Sequence, residues 1–295
     1  MKRARLKPRD VRVIGSHGQT IYHGPRDRVP STFQIGEAAI LAEATGIPVV
    51  SDFRPPDIAL GGEGAPLVPY FDFYFYGRGP VRAFQNIGGI SNVTVVGRGL
   101  KSPVAFDTGP GNCLMDLAIR KITKGRLACD RSGKWAAQGE VDHKKIAAMM
   151  RHPYFKKRPP KSTGWEKFGG EFLELRAAAR NWRRPFDLLA TLNYFTALTI
   201  FEGLQRFAPK SLKEVIVSGG GAKNLTLMKN LKELFKQNRG QVTVRSIEAL
   251  GIPAQAKEPV AFAFLALRAL ERKANHLPET TGACRAATLG KLCTP

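Results

Sequence analysis

The chain has 295 residues, enough for one large or two ordinary domains with real cores. Hydrophobic residues make up 43% and charged residues 24%, which fits a globular protein and excludes a disordered or collagen-like chain. Lys and Arg number 46 against 24 Asp and Glu, a net charge of +22 that admits nucleic acid, acidic membrane surfaces or phosphorylated ligands as partners.

The basic residues are dispersed, with local clusters at "KRARLKPR" near the start, "FKKRPPK" (155–161) and "NWRR" (181–184). They do not alternate with aromatics as a single-strand stacking platform requires, so nucleic acid is a minor reading. Cys113, Cys129, Cys284 and Cys293 show no C-x-x-C spacing and no metal-site pattern. So few cysteines in this length fit a reducing cytoplasm. The basic start has no apolar core after it, so no secretory signal is read there. The longest apolar stretch, 186–207, carries Asp187, Asn193, Glu202 and Arg206, and predicts a long buried helix rather than a membrane span.

In chain order, "VRVIGSHGQT" predicts a strand over Val11 to Ile14 that breaks at Gly15. A helix follows from Gly36 to Thr45, stopped by Gly46, then a strand near Val49 and Val50. "DFRPPDIALGGEGAPLVPY" is too rich in Pro and Gly for regular structure and predicts a long functional loop holding Arg54, Asp57 and Glu63. "PLVPYFDFYFYG" reads as a helix or buried segment ending at Gly77. Two apolar runs around Gly88–Gly89 predict a hairpin.

"VAFDTGPGN" predicts a strand end carrying Asp107, a turn through Gly109, Pro110 and Gly111, and Asn112 as helix N-cap. Helices are expected over 113–122, 141–151, 168–180 and 186–207. "KEVIVSGGGAKN" predicts a strand, a glycine turn and a helix; "QVTVRSI" another strand; and 258–274 a last helix that tolerates Pro259 in its first turn. The order is that of an α/β protein.

Three glycine-rich elements follow strands: "NIGGISN" (86–92), "DTGPGN" (107–112) and "SGGGAKN" (218–224). Backbone N–H groups without side chains in front of them can approach phosphate oxygens. Taken alone, Gly88–Gly89 needs no more than a hairpin, and Asp107 could serve only its turn. No Walker A pattern and no G-x-G-x-x-G after the first strand is present. Asp57, Glu63, Asp107 and Glu258 are candidate bases or polar contacts, and His17 is a binding candidate. "PPKSTGWEKF" (159–168) is either an exposed basic loop or a contact loop at a site rim.

Taken in order, "GSHGQT" (15–20), "QIGEAAILAEATGIPVVSDFR" (34–54), "GGEGAPLVP" (61–69), "NIGGISNVT" (86–94), "FDTGPGNCLMD" (106–116), "DRSGKWAAQG" (130–139), "PPKSTG" (159–164), "SGGGAKN" (218–224), "EALGIPAQAKEPVAFAFLA" (248–266) and "LPETTGACRAATLG" (277–290) resemble the anhydro-N-acetylmuramic acid kinases. That family lies in the sugar kinase, heat-shock protein and actin superfamily, and the resemblance runs from about Val11 to the C-terminus. It implies two ribonuclease H-like domains of the actin and sugar-kinase type around a cleft holding ATP. Residues 1–82 would be the remainder of the first domain, 83–255 the second, and 256–295 a connecting helix and return to the first.

The resemblance implies a homodimer that uses ATP and Mg2+ and acts on an amino sugar in cell-wall recycling; no metal-ligating residues are read in this chain, and its cysteine usage points to the cytoplasm. Asp107 matches the catalytic aspartate. His17, Arg54, Asp57, Glu63 and Glu258 fall at sugar-side positions, and Asn86, Gly88, Gly89, Gly109, Gly219, Gly220 and Gly221 at nucleotide-side positions. The chain departs from the family pattern before residue 11, where a Gly-Thr-Ser-x-Asp-Gly phosphate hairpin is expected. It departs again at Glu63 (Gln expected) and at Pro55–Pro56 (basic residues expected). An N-terminally truncated first domain follows as an expectation, with an inactive sugar- or nucleotide-binding remnant as the alternative to an active kinase.

Overall fold

The computed structural model describes residues 5–177, 182 and 184–295. In chain order its elements begin with β1 (Ile14–Gly15), β2 (Gln19–Gly24), β3 (Ser31–Ile35), α1 (Ala38–Thr45), β4 (Val49–Ser51), α2 (Arg54–Ala59) and α3 (Val68–Tyr76). The middle holds β5 (Arg82–Ile87), β6 (Ile90–Val96), β7 (Val104–Pro110), α4 (Cys113–Ile122), α5 (His143–Met150), α6 (Gly170–Leu175) and α7 (Pro185–Phe207). The chain continues with β8 (Glu214–Ser218), α8 (Leu225–Asn238), β9 (Thr243–Ser246), α9 (Lys257–Leu270), α10 (Pro278–Thr281) and β10 (Lys291–Cys293). Two compact units result, one of residues 1–75 with 256–295 and one of residues 76–255.

The first unit is built on a sheet of order β1-β4-β10, with β1 parallel and β10 antiparallel to β4. Val50, Phe53, Leu67, Tyr70, Phe262, Leu265, Ala266 and Leu289 form its main core. Gly15 admits no side chain, because a Cβ there would stand 2.4 Å from the Phe262 carbonyl oxygen. That close approach seats α9 against β1. Lys257, at the start of α9, reaches Asp72 on α3 at 2.8 Å, and the pair is almost wholly buried.

The second unit carries a five-stranded sheet of order β7-β6-β5-β8-β9. β6 is antiparallel to both β5 and β7, while β8 is parallel to β5 and β9. The carboxyl ends of β5, β7 and β8 therefore share one edge. Glu214 on β8 lies between Arg82 on β5 and Arg245 on β9 and pairs with both. α7 is buried along much of its circumference, from Leu188 to Leu204, and packs on α4, α8 and β7. Its apolar face joins Phe168, Phe172 and Phe235 in the core, where each fully buried side chain contributes ~1.5–3 kcal/mol.

Several elements differ from the sequence reading. The strand expected over Val11 to Ile14 is only Ile14–Gly15. The Pro-rich segment read as irregular contains α2, because Pro55 and Pro56 fall in the first helical turn, where no N–H is needed. The β2–β3 hairpin was not read at all. Its strands bury almost no face, so they carry no clean alternation of apolar and polar residues.

β7 does not end at Asp107 but runs on to Pro110. Asn112 stands at the N-cap position of α4 without a side-chain cap bond; its amide instead donates to the Ile87 carbonyl at 3.2 Å. The second compact unit begins at Tyr76, whose ring lies 4.7 Å from that of Phe84, tilted, and beneath the Arg82 guanidinium. Of the helix expected over 168–180, α6 is observed. Residues 178–181 and 183, with them most of the "NWRR" cluster, and residues 1–4 of the N-terminal basic cluster lie outside the described residues.

Candidate active site

In the second unit the glycine-rich elements meet. The β5–β6 turn receives the start of α4. Gly111 and Cys113 N–H donate to the Gly89 carbonyl at 2.9 and 3.1 Å, and Asn112 N–H donates to the Gly88 carbonyl at 2.8 Å. The turn after β8 packs on the same place. A Cβ on Gly219 (φ +80°) would lie 2.6 Å from Asn86 Oδ1 and 2.7 Å from the Ile87 carbonyl, and one on Gly221 2.3 Å from Ile87 Cγ2. Gly220 is exposed and has only Asn112 Nδ2 within reach, at 3.5 Å. The three glycines thus divide: Gly219 and Gly221 serve packing, and Gly220 alone faces open space.

Asp107 sits beside them on β7. Asn92 pairs with Asp107 and Ser91 with Gly109, so Thr108 is the extra residue of a bulge. Bulges bend a strand and re-aim neighbouring side chains. Gly109 (φ +143°) faces Phe155 and Thr199 inside the protein, so its part is to let the strand pass close to them. The segment 154–163 then clamps Asp107. Its carbonyl accepts from the Tyr154 hydroxyl at 2.7 Å, its N–H donates to the Lys161 carbonyl at 3.0 Å, and its Oδ2 accepts the Thr163 N–H at 2.8 Å. Burial pushes the Asp107 carboxyl up to about 6, against the Thr163 amide and Lys161, which favour its ionised form. A carboxylate held near neutrality with one oxygen uncommitted to the clamp is suited to accept a proton.

Two further polar groups bear on the site. Ser218, at the end of β8 and buried, has an Oγ with no hydrogen-bond partner. Trp165, half exposed, lays its indole 3.4 Å from the Cβ position of Gly89. Cys113 is no nucleophile: burial pushes its thiol up to about 12. Among the described residues no group of three or more His, Cys, Asp or Glu is placed to hold a metal ion.

In the first unit, His17, Arg54 and Glu258 come together. Arg54 Nε donates to His17 Nε2 at 3.0 Å, so the ring proton is on Nδ1, which donates to the Gly18 carbonyl at 2.8 Å. Burial, aided by Arg54, holds His17 below its usual range, while Gly18 and Glu258 oppose the shift. Glu63 pairs with Arg26.

Asp57 does not present a free carboxylate. It is fully buried, with Oδ2 accepting the Gly64 N–H at 2.7 Å and Oδ1 facing the Thr281 hydroxyl at 2.7 Å and His276 Nδ1 at 2.8 Å. His276 Nε2 accepts the Ala287 N–H, which leaves its proton on Nδ1, toward Asp57. Burial pulls Asp57 upward, but these bonds outweigh it and hold the carboxyl below its usual range. These contacts tie the 57–64 loop to Thr281 and His276.

Tyr154 and the Thr163 amide escaped the sequence reading. A lone tyrosine carries no local signal, and any residue has an N–H. Lys161 and Thr163 were legible only as members of a candidate contact loop.

Converging glycine turns and a buried carboxylate at the carboxyl ends of the strands of a mixed sheet make this unit an α/β domain of the kind that places ligands at that end. The model of the family "Anhydro-N-acetylmuramic acid kinase" matches residues 1–295, so the match includes the first ten residues, where no likeness was read. A curated relative of that name from Caldanaerobacter subterraneus subsp. tengcongensis is 41% identical over 306 residues, covering 99% of this chain and 76% of the relative. Relatives of the same name from Acaryochloris marina and Streptomyces coelicolor are 42% and 43% identical, each over 95% of this chain and over 76% and 70% of their own lengths. The chain belongs to the anhydro-N-acetylmuramic acid kinase family, and with it to the kinases. Among solved structures, the activator of the 2-hydroxyisocaproyl-CoA dehydratase from Clostridium difficile with bound ADPNP matches at TM-score 0.41 and 11% identity, covering 76% of this chain and 68% of that one. That likeness is too loose to carry an argument.

Proposed function

We propose that this protein opens the 1,6-anhydro bridge of 1,6-anhydro-N-acetylmuramic acid with water and phosphorylates O6 from ATP, giving N-acetylmuramic acid 6-phosphate and ADP. The observation that carries the reading is Asp107, clamped by the 154–163 segment and pushed up to about 6 by burial beside the β5–β6 turn. Family membership supports it.

In this reading the Asp107 oxygen not bonded to Thr163 takes a proton from water. The water oxygen bonds to the anomeric carbon as the C1–O6 bond breaks, and its electron pair goes to O6. O6 then attacks the γ-phosphorus of ATP and ADP departs. Transfer of this kind rests on positioning and charge neutralisation. Gly220, Gly88, Gly89 and Asn86 are suited to the nucleotide side, where the open face of Gly220 and the orphaned Ser218 hydroxyl fit a polar ligand. His17, Arg54 and Glu258 would serve the sugar. Mg2+ would enter with the ATP phosphates, since it keeps several waters and few protein ligands; its chemistry is neutralisation of phosphoryl charge.

The sheet order β7-β6-β5-β8-β9, with β6 alone reversed, supports a ribonuclease H-like second unit of the sugar-kinase type. Four free thiols are in keeping with a reducing cytoplasm. No described helix is long and apolar enough to cross a membrane. A homodimer belongs to the same reading, and sedimentation tests it. The deciding experiment supplies the purified chain with Mg2+, ATP and the anhydro sugar and looks for the 6-phosphate by mass spectrometry. Product that vanishes with Asp107→Asn is expected; a folded chain that binds neither ATP nor the sugar would overturn the reading.

A further inference from the structure

Gln85 on β5 is fully buried, although its side chain is polar. Its Nε2 donates to the Ser91 hydroxyl and to the Asn92 carbonyl, both at 2.8 Å. The Asn92 carbonyl can only accept, so the atom beside it is the amide nitrogen, and the amide has one orientation. Among the described residues Oε1 has no hydrogen-bond partner, so the amide is held through its nitrogen alone. Ser91 and Asn92 are the two β6 residues that face the bulge, Ser91 paired with Gly109 and Asn92 with Asp107. The bulged residue is tied to the same place. Thr108, itself buried, donates its hydroxyl to the Ser91 carbonyl at 3.1 Å and lies 3.5 Å from Gln85 Nε2.

β7 is an edge strand, so within the sheet its register is set against β6 alone. A regular ladder through Ser91 and Asn92 has no place for Thr108, and loss of the bulge would move one side of β7 by a residue. The far side is pinned to the β5–β6 turn by the N–H groups of Gly111, Asn112 and Cys113. The displacement therefore falls on the side of Asp107. An apolar side chain would fill the space of Gln85 without burying an unpaired oxygen, so packing alone does not account for an amide there.

We propose that Gln85 is a positioning residue for the reaction: its buried amide secures the β6 segment opposite the bulge and thereby the aim of the Asp107 carboxylate. This rests on the assignment of Asp107 as the base. Gln85 acts on Asp107 through Ser91, Asn92 and Thr108.

The first test needs no turnover. The Thr163 amide donates to Asp107 Oδ2, so in the 15N-labelled whole chain its signal is expected to shift as the carboxyl ionises near pH 6, and to stay still in Asp107→Asn. In Gln85→Met that shift is expected to fall to about half or less, and Thr108→Val, which removes the hydroxyl bond to Ser91, is expected to weaken it in the same direction. A Gln85 that only fills space would change the melting temperature and leave the shift whole. A folded Gln85→Met with the full shift overturns the proposal; should it not fold, a full shift in Thr108→Val does so. In the unaltered chain the Gln85 side-chain amide protons are expected to exchange far more slowly than exposed ones. Exchange at the rate of an exposed amide overturns the proposal whatever the variants do.

Turnover gives an independent arm. In Gln85→Met, kcat is expected to fall about tenfold to a hundredfold, while KM for ATP stays within about twofold because the turn keeps its bonds to the start of α4. Unchanged kcat in the folded variant overturns the proposal. A parent chain with no turnover at all would remove the kinase reading, while the Thr163 shift would still decide for or against Gln85.

Discussion

The backbone amide of Thr163 donates to Asp107 Oδ2 at 2.8 Å across 56 residues of sequence. It occupies one carboxylate oxygen and so determines which one remains to act as base. Asp107→Asn keeps an acceptor for that amide, and folding should survive. Turnover should fall by about 10²–10⁴-fold or more, the usual contribution of a general base. Product formation followed by mass spectrometry, beside a thermal melt, checks both halves; retained turnover removes Asp107 from the role.

The same residue has a measurable stability cost. Its folded pKa of about 6 lies above the usual carboxylate value, so the folded state binds this proton more tightly than the unfolded state. The cost is absent below about pH 4, grows as pH rises to about 6, and reaches ~2–3 kcal/mol above that. Asp107→Asn should therefore be more stable than the parent at pH 8, and the two should converge near pH 4. Denaturant titrations at both pH values test the sign, and a variant less stable at pH 8 would contradict it.

The glycine turn after β8 separates packing from ligand contact. Gly219→Ala places a Cβ 2.7 Å from the Ile87 carbonyl at a positive φ, so the chain should lose ~2 kcal/mol or more. Gly220→Ala meets nothing closer than 3.5 Å and should melt like the parent while weakening ATP binding. Calorimetric titration with ATP distinguishes the two. Unchanged affinity in Gly220→Ala would argue against this turn as the nucleotide contact.

The buried Lys257–Asp72 pair in the first unit is sensitive to losing one partner. Lys257→Met leaves a carboxylate without its ammonium in a dry site, and a loss of ~3–5 kcal/mol is expected. Lys257→Met with Asp72→Leu should recover most of it, because two apolar groups ask for no solvation. Urea unfolding of the parent, of Lys257→Met, of Asp72→Leu and of the double variant reads the coupling, and additive losses would show that the pair is not the relevant unit.

Asp57→Ala should leave Gly64, Thr281 and His276 donors without an acceptor and loosen the 57–64 loop. Amide exchange at Gly64 should speed up. The parent's advantage over the variant is present at neutral pH and should shrink only in acid, as pH falls through the depressed Asp57 pKa. An advantage that vanished on the alkaline side instead would assign it to another group.

Where local chemistry suffices, the sequence was readable. Gly46 in the left-handed conformation ends α1, the Gly88–Gly89 pair turns β5 into β6, and α7 shows its burial in its composition. Asp107 and Gly220 were found as members of glycine-rich turns after strands. The three glycines of 219–221 read alike because sequence carries no distances; packing against Asn86 and Ile87 is what separates them. Asp57 and Asp107 are both carboxylates in irregular-looking segments. Folding closes His276, Thr281 and Gly64 around the first and leaves the second an oxygen to use. The Thr163 amide and Lys161, which favour the ionised form of Asp107 against burial, lie more than fifty residues further along the chain. Burial and electrostatics are sums over neighbours in space, so the same aspartate acquired its chemistry only when the chain brought those neighbours to it.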